Sequence, residues 1–185
     1  MATQNPIEME GTYPLPEAQV DRFFFKVKID YPDAGELDAI LTRTTAGEPP
    51  VLSTVLSREA ILTSRSLVRQ VPIAPHVQQV AVALVMATHP DAAGAPDLVK
   101  RYVRYGSSPR GGQSLVSAAR IKALLDGRFH VSADDIRGVA LPSLRHRVLL
   151  TFEGEAEGVD PDDLIRAVVE HVGQGTEAGT ADGRR

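Results

Sequence analysis

Tyr105-Gly-Ser-Ser-Pro-Arg110-Gly-Gly-Gln-Ser-Leu115-Val-Ser-Ala-Ala-Arg120-Ile-Lys-Ala-Leu-Leu125 reads as a loop running straight into a helix. Pro109 pre-sets the turn and Gly106 allows an unusual backbone angle. Behind them, Leu115, Ala118, Ile121 and Leu125 recur at helical spacing and predict one apolar stripe. Toward the C-terminus, Ser132 and Asp135 form a capping-box pattern, with Asp in place of the usual Glu. Val148 to Phe152 reads as a short strand. Asp160 caps a further helix, with Pro161 at its first position and Asp162 and Asp163 in its first turn. That helix should bury Leu164, Ile165, Val168, Val169 and Val172. Residues 174–185 carry no apolar side chain larger than alanine and predict a disordered tail.

Toward the N-terminus, Val77, Val80, Ala81, Leu84 and Thr88 fall on one helical stripe. Ser57 can cap a helix running to about Arg69. Residues 45–50, with Gly47, Pro49 and Pro50, read as a linker. Asp33 to Thr44 predicts a helix. Phe23 to Ile29 alternates, with Phe25, Val27 and Ile29 on one face, which predicts a strand. Pro14 to Asp21 has helical composition. The expected fold is mainly α with a small α/β remnant. Residues 1–45 form the remnant, 46–173 a compact helical bundle and 174–185 the tail.

Composition narrows the function. The 185 residues carry 20 basic and 24 acidic side chains, a formal net charge of −4, which argues against a nucleic-acid binder. There is no cysteine, so a disulfide framework and thiolate metal sites are excluded, as suits the cytoplasm. No apolar run approaches the ~20 residues that span a bilayer. Met1 to Glu10 is polar and unlike a signal peptide. The histidines (His76, His89, His130, His146, His171) show no ligand spacing. No G-x-x-x-x-G-K-[ST] and no G-x-S-x-G occurs.

Three segments nevertheless resemble one family. They are Ala2-Thr-Gln-Asn-Pro-Ile-Glu8 continuing through Glu10-Gly-Thr-Tyr-Pro-Leu-Pro-Glu-Ala-Gln-Val-Asp-Arg-Phe23; Tyr105 to Arg110 with its helix and Gly127-Arg128; and Val131-Ser-Ala-Asp-Asp-Ile136 followed by Leu144-Arg-His-Arg147. In order and spacing they resemble the MoxR branch of AAA+ ATPases, over about residues 1–172. The resemblance implies the C-terminal end of an AAA+ α/β core followed by an α-helical lid bundle.

It also implies roles. Asn5 matches the sensor-1 position, where a neutral amide holds the attacking water or a γ-phosphate oxygen; read alone, it is an Asx-turn residue before Pro6. Arg22 matches the arginine finger, which reaches a neighbouring subunit's nucleotide; read alone, it is a surface arginine paired with Asp21 or Glu17. Arg110 matches sensor 2 and would reach the γ-phosphate in cis. Ser107 and Gly111 stand where the family more often has alanine, and Gly111 should loosen the helix start by about 1 kcal/mol. Arg145, His146 and Arg147 read as packing and interface residues rather than ligands. Glu8, Glu10 and Glu17 read as a solvated acidic loop.

The implied cofactors are ATP and Mg²⁺, held mainly by residues that the family carries upstream of this stretch. The implied assembly is a homo-oligomeric ring, expected to be a hexamer. It would remodel client proteins, often with a partner carrying a von Willebrand factor A domain. Lacking the phosphate-binding loop and the Mg²⁺-binding carboxylates, the chain is expected to be inactive by itself. Met1 would then be an internal methionine or the start of a truncated gene. The alternative is a stand-alone, non-catalytic module that binds an ATPase ring.

Overall fold

The computed structural model describes residues 1–3, 15–45 and 51–182, with side chains described as far as residue 174. In chain order the elements are α1 (Glu17–Val20), α2 (Ala34–Thr45), α3 (Arg58–Gln70), α4 (Pro75–Ala87), α5 (Asp97–Tyr102), β1 (Val103–Tyr105), α6 (Pro109–Leu125), α7 (Ala133–Gly138), α8 (Ala140–Leu144), β2 (Leu149–Leu150), α9 (Phe152–Ala156) and α10 (Pro161–Asp182). The fold is mainly helical, with one two-stranded sheet among the described residues. Contacts divide the chain into residues 1–26 with 71–185, and residues 27–70. The division does not follow the 45/46 boundary read from the linker.

In the larger unit, α4, α6, α7, α8 and α10 pack around one core. Leu84, Leu115, Ile136, Leu144, Leu164, Ile165 and Val168 are almost wholly buried, each contributing roughly 1.5–3 kcal/mol of hydrophobic stabilisation. The α4 stripe is as the periodicity predicts: Val77, Val80, Ala81 and Leu84 are buried, as is Thr88 just beyond the helix. The α6 stripe is different. Gly111, Ser114, Leu115, Ala118, Ala119 and Ala123 face the core, whereas Leu125 is 82% exposed and Ile121 39%. The small residues win because α6 lies close against its neighbours, where larger side chains would not fit.

Thr88 ties the end of α4 to the loop before α6. Its hydroxyl donates to the Val85 carbonyl at 2.6 Å and accepts the Ser107 N–H at 2.9 Å. Gly106 stands beside this tie. Positive φ occurs only at Gly127 and Gly158 among the described residues, so Gly106 is not there for an unusual angle. A Cβ on it would lie 2.6 Å from the Thr88 carbonyl oxygen. Close approach of two backbones is what demands glycine here.

The capping box forms. Ser132 accepts from Asp135 N–H at 3.2 Å, and the Asp135 carboxylate accepts from Ser132 N–H at 2.8 Å. The same carboxylate takes a two-pronged bond from Arg128 at 2.6 and 2.7 Å. That bond holds the Asp135 pKa well below the usual carboxylate range, against the upward push of burial.

The expected strand over 23–29 does not form. A strand needs a neighbour to take its backbone groups, but the Lys26 N–H goes to the Pro142 carbonyl at 2.9 Å, and side chains take the Phe23 and Phe24 carbonyls. The strand pair is β1 with β2, antiparallel, Val103 opposite Leu150. β2 is shorter than 148–152, and Phe152 already begins α9. Helix α10 runs on to Asp182, into the stretch read as a tail. Propagation adds one hydrogen bond per residue to a helix already anchored by buried Leu164, Ile165 and Val168, so weak composition does not end it.

The smaller unit holds α2 and α3. Asp33 and Glu36 cap α2 reciprocally, at 2.8 and 3.1 Å. Ser57 caps α3 through the Ala60 N–H at 3.1 Å. Neither helix has a buried residue, and Leu37, Ile40, Leu41, Ile61 and Leu62 are exposed.

Candidate functional site

The start of α6 gathers charge. Ser108 is its N-cap: the hydroxyl accepts the Arg110 N–H at 3.2 Å and donates to Asp21 Oδ1 at 2.8 Å. Arg110 Nη1 donates to Asp21 Oδ2 at 2.8 Å. Arg147 Nε lies 3.2 Å from Asp21 Oδ1. A carboxylate therefore sits at the positive end of a long helix, where an anion is favoured. Burial pushes the Asp21 pKa up. Hydrogen bonds from Arg110 and Ser108 and the charges of Arg147 and Arg110 outweigh it, so the pKa ends below the usual value and Asp21 stays ionised.

Arg147 is the anchor of this region. Its side chain is 1% exposed. It donates to the Asp21 carbonyl at 3.0 Å, to that of Phe23 at 2.6 Å and to that of Phe24 at 3.4 Å, and also to that of Ser143. Five donors in a fixed fork make one guanidinium enough to fasten residues 21–24 to α8. His146 adds a bond from Nε2 to the Phe23 carbonyl at 2.9 Å. A carbonyl only accepts, so Nε2 carries the proton; Nδ1 is buried without a partner among the described residues. Burial depresses the His146 pKa, with Arg147 and Lys26 adding to the effect against the Phe23 bond. The ring is thus kept neutral. Arg145, third of the basic group, reaches Asp162 at 2.9 Å and the Lys26 carbonyl at 3.3 Å. All three make packing contacts.

Arg22, Phe24, Arg110, Gln113, Ser117 and Arg147 line a pocket of about 260 Å³. Arg22 is exposed. Among the described residues its side chain has no hydrogen-bond partner, so the surface pairing with Asp21 or Glu17 is not made; Asp21 is taken by Arg110 and Arg147. Of the three candidates, Arg22 and Arg110 are brought to one pocket, and Asn5 lies outside the described residues, as do Glu8 and Glu10. A roomier groove of about 430 Å³, lined by His76, Val80, Met86 and His171 among others, is largely apolar and includes none of the candidates. Among the described residues no group of three or more His, Asp or Glu is placed to hold a metal ion. No described helix is long and apolar enough to cross a membrane.

Sequence reasoning missed the part played by Asp21, considering it only as a partner for Arg22. No local signal marks that part, because its partners Arg110 and Arg147 lie 89 and 126 residues away.

Comparison with known proteins fits this arrangement. Residues 96–168 match the AAA lid domain. Residues 1–25 match the ATPase family associated with various cellular activities (AAA). The chain is 39% identical over 173 residues to Chaperone MoxR1 of Mycobacterium tuberculosis, covering 93% of this chain and 45% of that protein. It is 35% identical over 188 residues to Protein MoxR of Methylorubrum extorquens, covering 92% and 53% respectively. The chain belongs to the MoxR-type AAA+ ATPases.

A solved structure from Cytophaga hutchinsonii that carries an ATPase assignment has the same fold. It is 33% identical with a TM-score of 0.83, over 91% of this MoxR-type chain and 51% of that one. The chain spans about half the length of the curated relatives it matches. The MoxR-type cluster at α6 joins both matched segments: Asp21 and Arg22 come from the AAA segment, and Ser108, Arg110 and Arg147 from the lid.

Proposed function

We propose that the chain supplies the sensor, finger and lid parts of a ring-forming ATPase whose hydrolysis of ATP remodels or matures client proteins. One observation carries this reading: the exposed Arg22, whose side chain has no hydrogen-bond partner among the described residues, shares a pocket with Arg110 at the N-terminus of α6. A permanently charged planar fork is suited to phosphate oxygens. Arg110 would contact the phosphate chain bound by its own subunit, and Arg22 that of a neighbour. Asn5 would hold the attacking water. ATP with Mg²⁺ would supply the transferable phosphoryl group and its counter-charge. A hexameric ring, a von Willebrand factor A domain partner and a cytoplasmic location belong to this proposal on family resemblance.

In a ring supplied with a phosphate-binding loop, Arg22→Ala and Arg110→Ala should each lower kcat at least ~10²-fold. Arg22→Ala subunits should regain part of that turnover when mixed with subunits lacking only the phosphate-binding lysine. Wild-type turnover in either variant overturns the assignment.

The exposed guanidinium of Arg22 also suits a second reading, a non-catalytic module that offers its finger to another ATPase. Added to a full-length relative, the chain would then change turnover, and Arg22→Ala would abolish the change. No effect at any ratio rules this out.

A further inference from the structure

We propose that Asp21 is a positioning residue, a placeholder that holds the Arg110 guanidinium at the start of α6 until a phosphate chain displaces it. The inference rests on the reading of Arg110 as a phosphate contact and adds a device regulating that contact.

The two arginines on Asp21 are held very differently. Arg147 is buried and keeps its backbone carbonyl partners whether or not Asp21 is present. Arg110 is 51% exposed, and Asp21 is its one side-chain partner among the described residues. A half-exposed ion pair of this kind is weak. It can be exchanged for a better one, and a phosphate chain offers more charge and more acceptor oxygens than one carboxylate. Arg147 and Ser108 would keep Asp21 satisfied after Arg110 leaves, through Nε at 3.2 Å and the hydroxyl at 2.8 Å. Arg110 could therefore depart without stranding a half-buried charge, a cost that would otherwise oppose the exchange.

The surroundings favour the incoming anion. Arg22, Arg110 and Arg147 line the pocket, and Asp21 is the one carboxylate bonded to any of them among the described residues. Positive charge is thus in excess. The placeholder also comes from the AAA segment and its captive from the lid. Asp21 directly precedes Arg22, so the group that releases Arg110 is one peptide bond from the candidate finger. A purely structural Asp21, present only to neutralise buried Arg147, would show no competition with phosphate.

The test uses the 185-residue chain and inorganic tripolyphosphate at low ionic strength. Binding is followed by NMR of the arginine side-chain N–H signals, and folding by thermal melts. Asp21→Asn should tighten tripolyphosphate binding about fivefold, since it removes the pair that competes for Arg110. In the Asp21→Asn/Arg110→Ala double variant the gain should vanish. If Arg110→Ala weakens binding but Asp21→Asn does not tighten it, the placeholder is refuted and the reading of Arg110 stands. If Arg110→Ala leaves binding unchanged, or neither the wild type nor Asp21→Asn binds, both fail. Should Asp21→Asn not fold, the wild-type chain decides. The Arg110 signal must shift on adding tripolyphosphate while that of Arg147 stays; an unmoved Arg110 signal overturns the proposal.

Discussion

Gly111→Ala tests the packing beneath the candidate site. By helix propensity alone the change should stabilise α6 by up to about 1 kcal/mol. The structure predicts the opposite sign. A Cβ on Gly111 would lie 2.0 Å from Ser107 Oγ and 2.9 Å from Leu144 Cδ2. Neither side chain has room to retreat: Ser107 is 1% exposed, with its N–H on Thr88, and Leu144 is wholly buried. Overpacking of this kind costs about 1–3 kcal/mol, so Gly111→Ala should destabilise by a net ~1–2 kcal/mol. Ser107→Ala relieves the worse clash, leaving the Ser107 Cβ at 3.3 Å. It gives up only a 3.2 Å hydroxyl bond to the Ser108 carbonyl, roughly 0.5–1.5 kcal/mol. The double variant should therefore be more stable than the sum of the single changes by about 1–2 kcal/mol. Urea denaturation of all four proteins gives the coupling energy directly. Additive single changes, or a Gly111→Ala chain as stable as wild type, would refute the reasoning. Serine at 107 and glycine at 111 are, on this account, one linked choice rather than two departures from alanine.

Other consequences can be measured on the same chain. Arg147→Met should cost about 3–5 kcal/mol in urea denaturation, because it takes away the donor shared by the Asp21, Phe24 and Ser143 carbonyls and leaves Asp21 with Arg110 as its one charged partner among the described residues; Arg147→Lys should rescue little, since one ammonium cannot span the fork's partners. Asp135→Asn should lower stability at pH 7 by about 2 kcal/mol, through loss of the charged bonds to Arg128 and the capping box. Because the folded pKa of Asp135 is depressed, its contribution is full above the unfolded value near 3.8 and fades as pH falls through the folded value. The acid-induced loss of stability below about pH 4 should therefore be shallower in Asp135→Asn. His146 is also depressed, from 6.5, but here the folded state prefers the neutral ring. Its unfolded form takes up the proton first, so stability should fall as pH drops below about 6.5 and level off beneath the folded pKa. His146→Gln should flatten that slope, and an unchanged slope would show that the ring is not the cause.

Much of the helical framework was readable from local pattern. Ser57, Ser132 and Asp160 are caps because a short polar side chain reaches the N–H groups two or three residues on, a property of a few neighbouring residues. The α4 stripe was legible for the same reason. The family was legible too, in the residues around Asn5, Arg22 and Arg110, and the lid and AAA matches agree.

What pattern could not supply was any choice between elements distant in the chain. Phe23 to Ile29 alternates like a strand, yet alternation supplies no hydrogen-bond partner; Arg147 and His146, more than 120 residues away, take the Phe23 carbonyl instead. On α6, Ile121 and Leu125 have the right spacing and hydrophobicity, but the space against the neighbouring helices admits Ala119 and Ala123 and leaves Leu125 outside. The sequence by itself determined the α4 stripe, the caps of α3, α7 and α10 and the family, because these are read from residues close together in the chain. Only the tertiary structure decided that Asp21 belongs to Arg110 and Arg147 rather than to Arg22. That choice turns on the chain folding a carboxylate from residue 21 onto a helix that begins at residue 109, and no local spacing encodes it.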